Sequence, residues 1–251
     1  MKYNERKDII LMLLKQKHEL TIQELQDALH VSPATIRRDL KIMNDNKMIE
    51  RFHGGIRNLE YVKDEIPIQE RKNISLENKR SIARYAAGLI RPGDLIFIDA
   101  GTTTLIMIDY IEENSITVIT NGIQHIQKLK EKNINSFLLC GFLKNRSNGL
   151  LGSETVALMK KFKFDKAFLG TNAIDFNYGI STYDDYEIAL KQAGISQSER
   201  VYVLADSTKF GRRSLYTISD FDSSKMTFIT DKEQPDFTNF KCIAVDLQEN
   251  Q

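Results

Sequence analysis

Residues 30–57, HVSPATIRRDLKIMNDNKMIERFHGGIR, decide how the first part of the chain is read. Ser32 can cap a helix by accepting from a backbone N–H two or three residues on. Pro33 follows at the first helical position, where its missing N–H costs nothing. Ile36, Leu40 and Met43 recur at spacings of four and three, giving one apolar stripe. The opposite side carries Ala34, Arg38 and Lys41, flanked by Thr35 and Arg37. The segment can therefore bury one face and present small, hydroxyl and cationic groups on the other. Entry into a DNA major groove requires that combination: little bulk, donors for base edges and cations for phosphates.

Upstream, residues 4–16 read as a helix with Ile9, Ile10, Leu13 and Leu14 inward. Thr21 and Glu24 stand at capping-box spacing and open a second helix whose Leu25, Ala28 and Leu29 face inward. Residues 30–32 then turn into the third helix, which predicts a helix-turn-helix; a generic three-helix bundle is the plainer alternative. Downstream, residues 48–52 alternate apolar and polar, His53, Gly54 and Gly55 make a turn, and a return strand starts at Ile56. Glycines there let the backbone approach a phosphate, with Arg51, His53 and Arg57 as donors. This two-stranded wing favours a winged helix-turn-helix over the bundle.

The chain has 251 residues, enough for this module and a larger domain. Its 41% hydrophobic and 27% charged content describes a protein able to build a real core. Net charge is only +1, so nucleic-acid binding must come from local clustering. Residues 32–57 supply it, with six Lys/Arg against three acids, although solvated helices often look similar. Cys140 and Cys242 lie far apart and read as reduced thiols. The four histidines show no metal-ligand grouping. The apolar run 9–14 is too short for a membrane span of ~20 residues, and the first eight positions do not resemble a signal peptide. The expectation is a soluble, cytoplasmic protein with no metal, no cofactor and no membrane partner.

Residues 58–76, charged and containing Pro67, read as a linker between a DNA-binding domain at 1–57 and a second domain at 77–251. A helix is predicted over 77–90 with Ile82, Tyr85, Ala86 and Leu89 inward. From Leu95 short apolar runs alternate with helical segments, at 95–98, 117–119, 136–139, 167–169, 201–204, 227–229 and 243–245. That is the pattern of an α/β domain with a mainly parallel sheet, whose ligands bind beyond the carboxyl ends of its strands. The segments following these runs are rich in Gly, Thr, Asn, Asp and Lys. The loop 99–104, DAGTTT, combines backbone N–H groups, hydroxyls and a helix start around an anion-sized space. Lys209 offers a point charge, and Asp99 or Asp206 can accept from sugar hydroxyls; a solvated Lys209–Asp206 surface pair is the alternative. Residues 149–154, GLLGSE, read as the start of another helix. Glu187 and Lys191 stand four apart and can pair on a solvent face; the functional alternative is that Asp184 and Glu187 reach a ligand.

The run VSPATIRRDL followed by a wing ending in HGG resembles the N-terminal signature of the DeoR family of bacterial transcriptional regulators. DAGTTT, the Thr120-Asn121 pair, FNYGISTYDDYE and DSTKFG resemble the family's C-terminal sensor domain in order and spacing, so the likeness covers nearly the whole chain. It implies operator-DNA contacts from Ser32, Thr35, Arg37, Arg38, His53 and Gly54. The residue reading adds Pro33, Lys41 and Arg51. For Arg37 and Asp39 a structural pairing that holds the helix is the alternative. The resemblance also implies a sensor domain similar in fold to sugar-phosphate isomerases, with a phosphorylated sugar held by Asp99, Gly101, Thr102, Thr103, Thr104, Thr120, Asn121, Asn172, Asp184, Glu187 and Lys209. Two positions depart from the family pattern, Phe142 and Ala173, both in loops of the expected pocket.

The function expected is a repressor of a sugar-metabolism operon, without catalytic residues, acting as a homodimer or homotetramer. The alternative is a sugar-phosphate isomerase-like enzyme with an accessory DNA-binding domain, in which Asp99, Asp184 or Glu187 would serve as base. An architectural DNA binder with a vestigial pocket is a third reading.

Overall fold

The computed structural model describes all residues except 18, 46–47, 53, 59–64, 176–178, 219–222, 236, 238–239 and 246–251. The chain divides into two compact units, Met1–Lys63 and Asp64–Gln251.

In the first unit, helices α1 (Tyr3–Lys17), α2 (Ile22–Leu29) and α3 (Pro33–Asp45) pack with strands β1 (Glu19–Thr21), β2 (Ile49–Phe52) and β3 (Gly55–Asn58). The capping box forms at the start of α2: Glu24 N–H donates to Thr21 Oγ1, and Thr21 N–H donates to Glu24 Oε2 at 2.8 Å. His30 ends α2 in the left-handed region at φ 51°, which lets the chain turn within three residues into α3. The core holds Ile10 and Leu14 of α1, Leu25 and Leu29 of α2, and Ile36, Leu40 and Met43 of α3. Each such side chain stabilises the unit by ~1.5–3 kcal/mol on burial. The wing is three-stranded. β1, which hydrophobic periodicity does not announce, pairs antiparallel with β3 across the register Leu20↔Ile56, and β2 pairs with β3 on its other side.

The second unit opens with α4 (Ile68–Arg71) and α5 (Leu76–Ala87). Residues 65–75, read from sequence as part of a linker, are packed in this unit. Ile68 is buried and its N–H donates to Arg146 O at 2.9 Å, while Glu65 is buried among cations. On α5 the inward positions are Ile82, Ala83 and Ala86. Tyr85, expected inward, is 40% exposed; Ala83, on the helix face that packs, takes that role.

All seven apolar runs form strands of one parallel sheet: β4 (Leu95–Ile98), β5 (Thr117–Thr120), β6 (Asn135–Leu138), β9 (Phe164–Gly170), β12 (Ser198–Leu204), β14 (Met226–Thr230) and β15 (Lys241–Ala244). Between them lie the hairpin of β7 (Phe142–Lys144) and β8 (Gly149–Leu151), and a small sheet of β10 (Ala173–Asp175), β11 (Gly179–Thr182) and β13 (Tyr216–Thr217). The stretch GLLGSE thus begins as β8 before the next helix starts at Ser153.

The large sheet runs in the order β15-β14-β12-β9-β4-β5-β6. Alternate residues of each strand enter opposite cores, because successive side chains point to opposite faces. Ile96, Ile98, Phe168 and Tyr202 pack with α5, α6 (Thr102–Met107) and Leu129 of α7 (Ile123–Glu131). Phe97, Ala167, Leu169 and Val203 pack with Met159 of α8 (Ser153–Met159) and with Ile188 and Ala193 of α9 (Asp185–Gln197). Burial on both faces explains why these strands read as continuous apolar runs. No helix among the described residues is long and apolar enough to cross a membrane.

Candidate functional site

Two regions carry chemistry, one in each unit. On α3, Ser32 Oγ accepts from Thr35 N–H at 3.3 Å and lies 3.0 Å from Thr35 Oγ1, so the start of the helix is capped as its sequence predicts. Pro33, Arg37, Arg38 and Lys41 are exposed, opposite the buried Ile36, Leu40 and Met43. Asp39 belongs to the structural side: it is 3% exposed and receives two bonds from Arg6 of α1, at 2.6 and 3.1 Å. That pair ties α3 to α1 and leaves Arg37 outward. Arg51 is exposed on β2, while Arg57 is engaged by Glu50 across the wing at 2.8 Å. Gly54 takes φ +102° at the wing turn, a conformation L side chains rarely adopt. His53 lies outside the described residues.

In the second unit the loops leaving β4, β5, β9 and β12 surround a cleft. It lies where the strand order turns, β4 leading outward to β5 and β6 and β9 leading the other way. Gly101, Thr102 and Thr103 line it at the start of α6, where backbone N–H groups have no intrahelical acceptor. Asp99, Asn121, Asn172, Glu187 and Lys209 also line it, as does Asp206.

Three expected ligand contacts do not line the cleft. Thr104 is wholly buried; its hydroxyl donates to Asp99 O at 2.6 Å and lies 3.1 Å from His125 Nε2. Thr120 Oγ1 accepts from Gly122 N–H at 3.1 Å and shapes the turn after β5. Asp184 caps α9 by accepting from Tyr186 and Glu187 N–H, and its other oxygen is 3.3 Å from Lys144 Nζ. In each case a backbone group nearby claims the polar atom, and short polar side chains at turns and helix starts commonly serve this role.

The cleft also gathers cations that sequence reasoning passed over. Arg71, Lys79 and Lys191 line it with Lys209, against Asp99, Glu187 and Asp206. Lys191 is not on a solvent face: it is buried and pairs with Asp99. Burial pushes the Asp99 carboxyl up, and Lys191 opposes that rise. Burial also works against the Glu187 charge, but Lys191, Lys144 and the Thr182 hydroxyl together hold its pKa below the usual range. Lys79 donates to Arg71 O at 2.5 Å; burial brings its ammonium down to about 8, with Lys209 and Arg71 adding to the fall and Asp206 resisting it. Burial likewise lowers Lys209. Asp231, at the end of β14, fastens this corner. It accepts from Ser207 N–H at 2.5 Å and from Asn78 Nδ2 of α5 at 2.6 Å. The result is a polar cleft with four cations, three carboxylates and several hydroxyls, suited to a small anion that also carries hydroxyl groups.

Residues 6–61 match the DeoR-like helix-turn-helix domain, and residues 74–232 match the DeoR C terminal sensor domain. Among curated relatives, an uncharacterized HTH-type transcriptional regulator FruR of Bacillus subtilis is 37% identical over 94% of both chains. The HTH-type transcriptional regulator GlpR of Haloferax volcanii is 34% identical, covering 90% of this chain and 89% of its own. The glycerol-3-phosphate regulon repressor of Escherichia coli is 32% identical over 86% of each. Among solved structures, ribose 5 phosphate isomerase A from Neisseria gonorrhoeae shows a slighter likeness, with 15% identity and TM-score 0.40 over 54% of this chain and 53% of that one. Translation initiation factor eIF-2B from Pyrococcus horikoshii gives 21% and 0.43 over 59% and 52%. With both of its domains matched and regulators aligned along nearly its full length, the chain belongs to the DeoR family of DNA-binding transcriptional regulators.

Proposed function

We propose that this chain represses a sugar-metabolism operon and lets go of its operator when a phosphorylated sugar occupies the cleft. The observation that carries the reading is the lining of that cleft: Lys79, Lys209 and Arg71 for a phosphate, with Asp99, Asn121 and Asn172 for hydroxyls. The name of the Escherichia coli relative, which refers to a phosphorylated polyol, points the same way. In this reading Ser32, Thr35, Arg37, Arg38, Lys41, Arg51 and the wing around Gly54 meet DNA. Gly101, Thr102, Thr103, Glu187 and Lys209 meet the effector, while Thr104, Thr120 and Asp184 shape the loops around it. Residues 1–57 read DNA, and the unit from Asp64 onward, which includes Arg71, senses. A homodimer or homotetramer in the cytoplasm fits a two-fold operator, since one winged module alone binds weakly. The isomerase alternative has less support, because the relatives that align along the chain are regulators.

Effector control requires the ligand to prefer one conformation, with a coupling of ~1–3 kcal/mol. The test is a thermal-shift panel of fructose 1-phosphate, fructose 6-phosphate, tagatose 6-phosphate and glycerol 3-phosphate, since a ligand of the folded state raises the melting point. Operator binding is then measured with the best ligand. Lys209→Ala and Thr102→Val are expected to lose the response while keeping operator affinity. Turnover of a sugar phosphate, or a normal response by both variants, would overturn the reading.

A further inference from the structure

Glu65 is the first described residue after the segment 59–64, which connects the two units covalently, and it is 5% exposed. A carboxylate so far from water needs cations, and it has them. Arg71 Nη2 donates to Glu65 Oε1 at 3.1 Å, and Lys144 Nζ lies 2.9 Å from Oε2. Arg146 Nη1 donates to the Glu65 carbonyl at 2.7 Å. Both side-chain partners lead to the cleft by one step. Arg71 lines it directly, and Lys144 also contacts Glu187 at 3.1 Å, which lines it too.

Arg71 is incompletely used. Its Nη2 serves Glu65 and, at 3.4 Å, Arg146 O, while its Nε is buried with no acceptor among the described residues. A guanidinium is a planar fork built for two parallel bonds to one carboxylate or phosphate. Glu65 satisfies it with a single bond, so an anion in the cleft can offer Arg71 more than Glu65 does.

Resting on the effector reading above, we propose that Glu65 is an internal competitor of the effector: its carboxylate occupies Arg71 in the empty protein, and the effector's anionic group takes Arg71 away. Glu65 then keeps Lys144 but loses the cation at the end of α4 that holds this short helix against it. The change falls on the residues through which the chain enters the sensor unit. Lys144 is the second arm of the device. Burial works against its charge, but Glu187 and Glu65 outweigh it and its pKa is raised. It therefore stays cationic and shared between Glu65 and the cleft wall.

The experiment compares wild type, Glu65→Gln and, as a control for a nearby charge change, the exposed Glu70→Gln. Binding of the four sugar phosphates and of inorganic phosphate is measured by calorimetry, and operator affinity is measured with and without the best of them. Circular dichroism melts establish that each variant is folded. Glu65→Gln is expected to bind the phosphosugar severalfold more tightly and to hold operator less well in its absence. The ratio of operator affinities without and with ligand should shrink, and Glu70→Gln should match wild type. If Glu65→Gln does not fold, Glu65→Asp, which keeps a charge beside Lys144 but shortens the reach to Arg71, is expected to move the same quantities in the same direction. If wild type binds and responds but the Glu65 variant leaves affinity and ratio unchanged, the competitor role is overturned while the effector reading stands. If neither phosphosugars nor phosphate bind wild type, the effector reading fails and this proposal falls with it.

Discussion

Replacing Lys191 with Met would strand a deeply buried charge of the cleft, the Asp99 carboxylate. Both side chains of the Lys191–Asp99 pair are 6% exposed. Removing one partner of a buried pair costs ~3–5 kcal/mol, because the remaining charge has neither water nor counter-ion. Glu187 would also lose one of the cations that hold its charge. Asp99 has an escape, which is to take up a proton. Burial already raises its pKa and Lys191 opposes that rise, so in the variant it rises further. Aspartate in the unfolded chain titrates near 3.9. From there up to the raised native value, the folded state holds a proton that the unfolded state has released. Stability therefore falls as pH rises through that window, by ~1.4 kcal/mol per unit of difference.

The Lys191→Met variant should accordingly show its largest deficit at about pH 8 and recover part of it at about pH 5. Urea unfolding followed by circular dichroism at the two pH values measures this. The double variant Asp99→Asn/Lys191→Met removes the stranded Asp99 carboxylate and leaves Glu187 with Lys144, so it should regain most of the stability lost at the higher pH. A deficit of the same size at both pH values, or a double variant no better than the single one, would mean that lost packing sets the cost.

Three further outcomes are expected. Arg38→Ala should weaken operator binding by the ~1–3 kcal/mol of a base-edge contact while scarcely changing binding to random DNA; equal losses on both DNAs in a gel-shift titration would make Arg38 a phosphate clamp. Gly122→Ala would bring a methyl group onto the buried His125 ring, with Cγ only 2.8 Å away; overpacking of this kind costs ~1–3 kcal/mol, read as a lower melting temperature, and an unchanged melt would show that α7 can shift freely. Burial, with help from Lys128, lowers His125 to about 3. The unfolded chain takes its proton first as pH falls from about 6.5, so the stability present above that pH is lost down to about 3. His125→Asn should flatten this slope in melts recorded across the acid range, and an unaltered slope would locate the acid sensitivity elsewhere.

The parallel sheet could be read from the chain because its strands are covered on both faces. The runs at 95–98, 201–204 and 227–229 carry apolar side chains for two cores at once and stand out from the polar loops beside them. The helix at Ser32 was legible for the opposite reason, since its cap and stripe are local. Strand β1 was not, because three residues beside a capping box have no periodicity and become a strand only by meeting β3 more than thirty positions later. Cleft residues divide along the same line. The DAGTTT loop announces itself, but a threonine's spacing does not say whether its hydroxyl faces a ligand or a carbonyl, and Thr104 chose Asp99 O. Arg71 and Lys79 sit in ordinary charged sequence and acquire meaning only where α4 and α5 bring them to the strand ends. Lys191 has an obvious helical neighbour in Glu187, yet its closest partner is Asp99, 92 residues away.

The arrangement β15-β14-β12-β9-β4-β5-β6 separates two kinds of heritable change. The cleft opens at the carboxyl ends of β4 and β9, which are paired with each other up to Ile98↔Phe168. Substitutions at cleft positions in the segments after β4, β9 and β12 that belong to neither core, such as Thr102, Asn172 and Lys209, can change the chemistry of the cleft without altering strand register.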